Sequence, residues 1–142
     1  VREWRRSYDI LPPALNQNDA RSAVAQSMYR DVNPNELPSS ESLETTVARV
    51  VPYFNKVIKK DMMAGKRVII AAHGNSLRAL VKYFDKLSEE DIVNVNIPTG
   101  VPLVYEFDAQ GNPLHHRYLG DPRLLKQKME AVANQGKKAI GV

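Results

Sequence analysis

The chain has 142 residues, a length typical of a single domain. Its composition, with 43% hydrophobic and 25% charged residues, is that of a globular protein and excludes a fibrous or fully disordered chain. The sequence contains no cysteine, which excludes disulfides, a thiolate nucleophile and cysteine-ligated metal centres. It has no apolar run near the roughly 20 residues of a membrane-spanning helix and no secretory signal pattern. These features predict a cytoplasmic protein without a membrane partner.

The net charge of +4 is unevenly distributed along the chain. Residues 1–116 contain 14 Lys and Arg against 14 Asp and Glu, so that stretch is neutral. The excess lies in residues 117–142, where Asp121 and Glu130 are outnumbered by six basic residues: Arg117, Arg123, Lys126, Lys128, Lys137 and Lys138. A basic segment of this kind predicts an anionic partner, which could be a phosphorylated metabolite, a nucleic acid or an acidic surface.

The N-terminal half predicts one long connection followed by one long helix. Residues 10–40 contain four prolines among Asn, Asp and Ser, which predicts an irregular connection with at most one helical turn near residues 20–26. The helix is expected to begin behind Ser39 or Ser40 and to be kinked or interrupted at Pro52. Its apolar residues recur at spacings of three to five: Leu43, Val47, Val50, Phe54, Val57 and Met62.

A strand and a helix are predicted next. Residues 68–72, Val-Ile-Ile-Ala-Ala, form a short apolar run typical of a strand buried on both faces of a parallel sheet. The following helix is expected to bury one side, composed of Leu77, Leu80, Val81 and Phe84.

The remaining elements have clear local signals. Ser88 is predicted to cap a short helix, and residues 101–107 and 114–119 are predicted to form a β-hairpin. Asp121-Pro122 predicts the start of a last helix, which ends before a mobile basic tail at residues 136–142.

His73, Gly74 and Asn75 stand where the predicted strand ends and the next helix begins. In open α/β sheets ligands bind at the carboxyl ends of strands, and a helix N-terminus offers N–H donors to an anion. The imidazolium of His73 could bind a phosphate oxygen or stabilise a transferring phosphoryl group. Gly74 would let the backbone approach the anion, and Asn75 could donate from its amide. The same junction also fits an ordinary turn without a ligand.

Arg5 and Arg6 are a second candidate for anion binding. Their guanidinium groups suit phosphate or carboxylate, and neighbouring aromatic residues can orient them. The alternative is a solvated helix face with Trp4 packed inward. Interleaved arginines and aromatics also suit nucleic acid, although no helix-turn-helix, RRM or zinc-finger pattern accompanies them.

His115 and His116 are neighbours on a predicted strand. Their side chains should therefore point to opposite faces and cannot bind one metal ion together. We interpret both as structural, and we predict no metal site.

The segment His73-Gly74-Asn75-Ser76-Leu77-Arg78-Ala79-Leu80 resembles the second signature of the cofactor-dependent phosphoglycerate mutases, in the histidine phosphatase superfamily. The resemblance implies an α/β fold, a three-layer α/β/α sandwich with a mostly parallel sheet, here incomplete. It extends over nearly the whole chain, through Trp4-Arg5-Arg6-Ser7-Tyr8-Asp9, Pro12-Pro13, Glu36-Leu37-Pro38, Glu41-Ser42-Leu43, Asn96-Ile97-Pro98-Thr99-Gly100-Val101-Pro102-Leu103-Val104-Tyr105-Glu106 and Tyr118-Leu119-Gly120-Asp121.

The resemblance also implies an activity, the interconversion of 3-phosphoglycerate and 2-phosphoglycerate through a phosphohistidine. The reaction is primed by 2,3-bisphosphoglycerate and needs no metal. By the resemblance, His73 is the second active-site histidine, which binds the phosphoryl group and stabilises its transition state. Arg5, Arg6, Gly74 and Asn75 match substrate-binding residues. The complete enzyme is expected to be a homodimer or homotetramer, and the basic tail would cover its active site.

The family's first signature, Arg-His-Gly, carries the histidine that becomes phosphorylated, and it does not occur in these 142 residues. We therefore interpret residues 1–142 as the C-terminal portion of a single mutase domain, and we predict that this portion is inactive alone. One alternative is a non-catalytic half-domain that binds an anion through Arg5, Arg6, His73 and the basic tail. A nucleic-acid binder is the other alternative, and it rests only on the net charge.

Overall fold

The computed structural model describes residues 2–135, apart from the side chains of Arg2 and Arg5. The predicted tail at residues 136–142 lies outside the described residues. No helix within residues 2–135 combines the length and the apolar character that crossing a membrane requires. The elements are α1 (Arg2–Arg5), α2 (Leu43–Tyr53), α3 (Lys59–Met63), α4 (Gly74–Asp85), α5 (Glu89–Asn94), β1 (Leu103–Phe107), β2 (Pro113–Tyr118) and α6 (Pro122–Asn134).

Residues 10–40 contain three short 3-10 turns, at Ala23–Ala25, Ser27–Tyr29 and Pro34–Glu36, where the sequence predicted one. Backbone hydrogen bonds tie both ends of this connection together. The N–H of Leu15 donates to the carbonyl of Ser39 at 3.1 Å. The connection therefore leaves the first residues of the chain close to the start of α2.

The long helix begins behind Ser42, so the predicted caps Ser39 and Ser40 were wrong. Ser42 Oγ accepts from the N–H of Thr45 at 3.1 Å, and Thr45 Oγ1 accepts from the N–H of Ser42 at 2.9 Å. This reciprocal capping box satisfies two backbone donors at the start of the helix, and Ser42, not Ser39 or Ser40, forms it. Pro52 does not end the helix. Pro52 has no N–H to donate, so one hydrogen bond of the helix is missing. The helix continues as a π-helical turn at Phe54–Ile58 and then as α3.

The core lies where this helix meets α4 and the hairpin. Phe54, Leu80 and Phe84 are buried together, with Tyr105 and Phe107 packed against them. The ring centroids of Phe54 and Phe84 are 4.8 Å apart, and those of Phe84 and Phe107 are 5.2 Å apart, both edge to face. Edge-to-face aromatic pairs add specific attraction to the burial itself. Leu80 and Phe84 thus pack the C-terminal half of α4 into the core, whereas Gly74 and Asn75 at its N-terminal end are exposed.

The predicted buried strand at residues 68–72 was wrong for this chain. The segment forms no ladder with any other described residue, and the side chain of Ile69 is 94% exposed. A strand exists only where a neighbouring backbone pairs with its N–H and C=O groups, and the described residues supply no such neighbour. The sheet that does form is the antiparallel pair β1–β2, so the described fold mixes helices and strands without a parallel sheet.

The predicted C-terminal elements are confirmed. Ser88 caps α5, and Asp121 caps α6 with Pro122 at its first position. Strands β1 and β2 pair antiparallel, with an irregularity between Glu106 and Phe107, across a loop that Asp108 organises. Each of these elements is specified by a few adjacent residues, which is why the sequence was sufficient to predict them.

Candidate functional site

His73 is the N-cap of α4, and its side chain is part of the cap. Its backbone is extended, with φ −61° and ψ 146°, and its Nδ1 atom accepts a hydrogen bond from the backbone N–H of Asn75 at 3.2 Å. An Nδ1 atom that accepts cannot carry the ring proton, so Nε2 carries it in this geometry. The exposed ring therefore presents an Nε2–H donor.

Gly74 begins the helix and leaves open space in front of it. A Cβ atom placed on Gly74 would meet nothing within 4 Å, and the backbone of Gly74 does not require a positive φ. Neither packing nor conformation therefore demands glycine at this position. A twelve-residue helix concentrates a partial positive charge at this end, where the first backbone N–H groups have no acceptor within the helix and that of Asn75 donates to His73. The open space can admit an anion to the backbone.

Asn75 is held from the side by Arg78, one turn further along α4. Arg78 Nη1 donates to Asn75 Oδ1 at 3.4 Å, and Arg78 Nη2 donates to the carbonyl of Ile92 at 2.6 Å. The second bond ties α4 to the end of α5. His73, Gly74 and Asn75 thus lie on one helical turn, with Arg78 behind it.

Arg6 lies at a different contact. Its Nη2 atom donates to the carbonyl of Ala133 at 2.6 Å, in the last turn of α6, where unpaired carbonyls carry partial negative charge. Within residues 2–135, no hydrogen bond or ion pair joins Arg6 to His73, Gly74 or Asn75. The side chain of Arg5 lies outside the described residues. Of the predicted arginine pair, Arg6 is therefore described at a contact with α6 and not at the turn around His73.

Segments close to Arg6 nevertheless contact α4. The ammonium group of Lys82 lies 5.1 Å from the centre of the Tyr8 ring, a cation–π contact. The carbonyl of Tyr8 accepts from the N–H of Glu44 at 2.9 Å, at the start of α2. The chain after Arg6 is thus anchored on the two central helices.

His115 and His116 lie on opposite faces of the hairpin, as predicted. His115 Nε2 is 3.4 Å from Glu106 Oε2, and His116 Nδ1 is 3.3 Å from Asp85 Oδ2. The hydroxyl of Tyr105 also donates to Asp85 Oδ2 at 3.1 Å. Burial and the nearby Asp85 carboxylate raise the pKa of Tyr105 well above its ordinary value. The two histidines bind carboxylates that join the hairpin to itself and to α4, and the residues within 2–135 contain no cluster of His, Asp and Glu suited to a metal.

A cavity of about 130 Å³ lies at the other end of α4, between the π-helical turn and the hairpin loop. Aromatic rings of Phe54, Tyr83 and Phe84 line one part of it, and Lys59 and Lys86 line another. Helix α4 rises about 16 Å between its two ends, so this cavity is remote from His73.

Two of the four described basic residues in the segment 117–135 make side-chain hydrogen bonds. Arg117 Nη1 donates to Glu106 Oε1 at 2.7 Å, and Lys128 Nζ donates to the carbonyl of Thr99 at 3.4 Å. Lys137 and Lys138 lie outside the described residues. Arg123 and Lys126, on α6, are exposed, so the described part of this segment retains basic side chains that face solvent.

Sequence reasoning missed the role of Arg78, although the residue stands inside the quoted signature. Its spacing of three from Asn75 on a helix was a usable signal, since such residues are neighbours on the helix surface. Its second partner, the carbonyl of Ile92, could not be inferred because that contact depends on how α5 packs.

Comparisons with known proteins agree with the resemblance seen in the sequence. The histidine phosphatase superfamily (branch 1) profile matches residues 14–119. A protein of Treponema denticola named 2,3-bisphosphoglycerate-dependent phosphoglycerate mutase is 59% identical over 138 residues, covering 97% of this chain and 56% of that protein.

Proteins of the same name from two further bacteria show similar values. That of Lachnoclostridium phytofermentans is 59% identical over 140 residues, covering 99% of this chain and 56% of its own length. That of Borreliella burgdorferi is 57% identical over 134 residues, covering 94% and 54%. The chain thus spans about half the length of the curated relatives it matches.

Proposed function

The chain belongs to branch 1 of the histidine phosphatase superfamily, and we propose that it forms one part of the active site of a 2,3-bisphosphoglycerate-dependent phosphoglycerate mutase. The observation that carries the proposal is the arrangement of His73, Gly74 and Asn75 on the exposed N-terminal turn of α4. The substrate would be 3-phosphoglycerate or 2-phosphoglycerate, and 2,3-bisphosphoglycerate would prime the reaction, as the relatives' shared name supports.

In this function the turn at the start of α4 binds the phosphoryl group being transferred. The N-terminal N–H groups and partial positive charge attract the phosphoryl oxygens, and Gly74 leaves them room to reach the backbone. His73 donates from Nε2 to an oxygen that becomes more negative in the transition state. Asn75 adds a side-chain donor, and Arg5 and Arg6 bind the remaining anionic groups of the substrate.

The phosphoryl-accepting histidine is not among these residues. The sequence has only His73, His115 and His116; His115 contacts the Glu106 carboxylate on the hairpin, and His116 contacts the Asp85 carboxylate at the end of α4. We therefore propose that the 142 residues alone do not turn over substrate. The nucleophilic histidine would come from the part of the mutase that these residues do not cover.

The exposed segment at residues 68–72 supports the same proposal. Its apolar side chains, including Ile69, suit a strand packed between two helical layers. We propose that a neighbouring strand from the uncovered part pairs with it, which completes a mostly parallel sheet and a three-layer α/β/α sandwich. A homodimer or homotetramer and a cytoplasmic location are proposed for that complete protein, with residues 136–142 covering its site.

Joining the chain to the remainder of the Treponema denticola relative tests the proposal. The chimera should convert 3-phosphoglycerate to 2-phosphoglycerate in an enolase-coupled assay, and it should require 2,3-bisphosphoglycerate. The 142-residue chain should show no turnover in the same assay. Turnover by the chain alone would contradict our assignment of the nucleophile. A folded but inactive chimera whose α4 turn still binds 3-phosphoglycerate would favour the non-catalytic anion-binding alternative.

A further inference from the structure

We infer that Arg78 is a positioning residue, which acts through Asn75 and not by contact with the anion. The inference rests on the proposed function, since it concerns how the turn at His73 binds a phosphoryl group. It starts from the two hydrogen bonds of Arg78, to Asn75 Oδ1 at 3.4 Å and to the carbonyl of Ile92 at 2.6 Å.

The bond to Asn75 decides which end of its amide faces the ligand. An asparagine side chain carries one acceptor oxygen and one NH₂ donor, and rotation by half a turn exchanges them. A guanidinium group has only donors, so Oδ1 is the one end of the amide to which it can donate a hydrogen bond. With Oδ1 facing Arg78, Nδ2 lies on the opposite side of the amide carbon and is available to the anion. The opposite orientation would place the carbonyl oxygen against the anion, which is repulsive.

The bond to Ile92 fixes Arg78 independently of any ligand. The carbonyl of Ile92 belongs to the last turns of α5, which spans Glu89–Asn94, and carbonyls at a helix C-terminus carry partial negative charge. Arg78 is half-buried, while Asn75 is exposed. The guanidinium fork therefore bridges two groups, one on each helix, that a single lysine ammonium cannot hold in the same planar geometry.

The inference separates two possible effects of the Arg78 charge. If Arg78 only attracted the anion over a distance, Arg78→Lys would preserve binding, because it keeps the charge. If Arg78 orients Asn75, Arg78→Lys and Arg78→Gln should both weaken binding. The weakening should disappear in a chain whose Asn75 has already been replaced by alanine.

The test is a titration of the 142-residue chain with 3-phosphoglycerate, followed by NMR. We expect Asn75→Ala and Arg78→Lys each to raise Kd about fivefold, the effect of losing roughly one hydrogen bond. Arg78→Lys in the Asn75→Ala background should add less than about twofold, since the two residues act as one unit. Arg49→Lys is the matched control, because the described hydrogen bonds of the Arg49 side chain go to Glu41 and not to the turn, so Kd should stay unchanged.

The outcomes distinguish this inference from the proposed function. No response of the wild-type chain to 3-phosphoglycerate would overturn the proposed function, and the inference would fall with it. A wild-type response that Arg78→Lys leaves intact would overturn the inference alone. Should the Arg78 variants not fold, ¹⁵N relaxation of the Asn75 side-chain amide in the wild type decides instead. We expect it to be as ordered as the backbone of α4, and a freely rotating amide would overturn the inference.

Discussion

The Nδ1 atom of His73 accepts a hydrogen bond from the backbone N–H of Asn75, at 3.2 Å. The same side chain therefore caps α4 through Nδ1 and leaves an Nε2–H donor on an exposed ring. A structural role and a chemical role coincide in one imidazole, and substitutions can separate them.

His73→Asn should preserve the N-cap of α4 but remove the imidazole that we assign to the reaction. Asparagine is a favourable N-cap, so the thermal stability of this variant should stay close to that of the wild type, whereas His73→Ala should lose about 1 kcal/mol. Both variants should lower turnover of the chimera by about 10²–10³, the effect of removing one transition-state donor. Thermal unfolding and the enolase-coupled assay give the two values. Normal turnover by His73→Asn would remove His73 from the reaction.

Gly74→Ala should raise stability and weaken ligand binding. Alanine is the better helix former by about 0.5–1 kcal/mol, and its Cβ meets nothing within 4 Å in the free protein. The same Cβ would occupy the space through which an anion reaches the backbone. Gly65→Ala is the matched control. Gly65 has φ +82°, so alanine there should cost about 1 kcal/mol without changing the affinity for 3-phosphoglycerate. Undiminished binding by Gly74→Ala would place the anion elsewhere.

Tyr105→Phe should loosen the hairpin from α4. The lost hydroxyl donates to the Asp85 carboxylate in a half-buried position, so the expected cost is about 1.5 kcal/mol in the free energy of unfolding. Tyr118→Phe is the control on the neighbouring strand. Tyr118 is also half-buried, but its hydroxyl makes no hydrogen bond within the described part of the chain, so its replacement should cost less. Equal costs in urea unfolding would show that burial, not the Asp85 bond, holds the hairpin.

The stability of the hairpin loop should depend on pH through the ionisation of Asp108. Hydrogen bonds from the backbone and side chain of Asn112, and from the N–H of Gln110, lower the pKa of Asp108 below its ordinary value. A carboxyl with a lowered folded-state pKa stabilises the fold above its unfolded pKa of about 4, and this stabilisation is lost as the pH falls through the folded value.

Asp108→Ala should therefore lower Tm at neutral pH, and its difference from the wild type should shrink as the pH falls below about 4, the unfolded-state pKa. Asp31→Ala is the control, since Asp31 is exposed and pairs only with the adjacent Arg30. A difference for Asp108→Ala that is the same at every pH would contradict the role of its charge.

Local signals were sufficient to predict much of the fold. The caps at Ser88 and Asp121 and the turn near Asp108 each act within a few residues, and the structure contains the predicted elements. The cap of α2 was misplaced because several serines precede it. Only the pairing of Ser42 with Thr45 selects one of them.

The composition of residues 68–72 predicted a strand that the structure does not form. An apolar run becomes a buried strand only when a neighbouring strand pairs with its backbone, and the described residues contain no such neighbour. The same distinction holds for the site. His73, Gly74 and Asn75 were evident as a junction of adjacent residues, whereas the bond from Arg78 to Ile92 spans 14 residues and depends on packing.

The binding of a phosphoryl group at the start of α4 is tested most directly by adding 3-phosphoglycerate to the ¹⁵N-labelled 142-residue chain. We predict saturable shifts that are largest for the backbone amides of Gly74 and Asn75 and for Nε2 of His73, and that require a higher concentration of 3-phosphoglycerate in His73→Asn. Shifts confined to the cavity at Lys59 and Lys86, or no saturable shift at all, would contradict the assignment of this turn as the phosphoryl site.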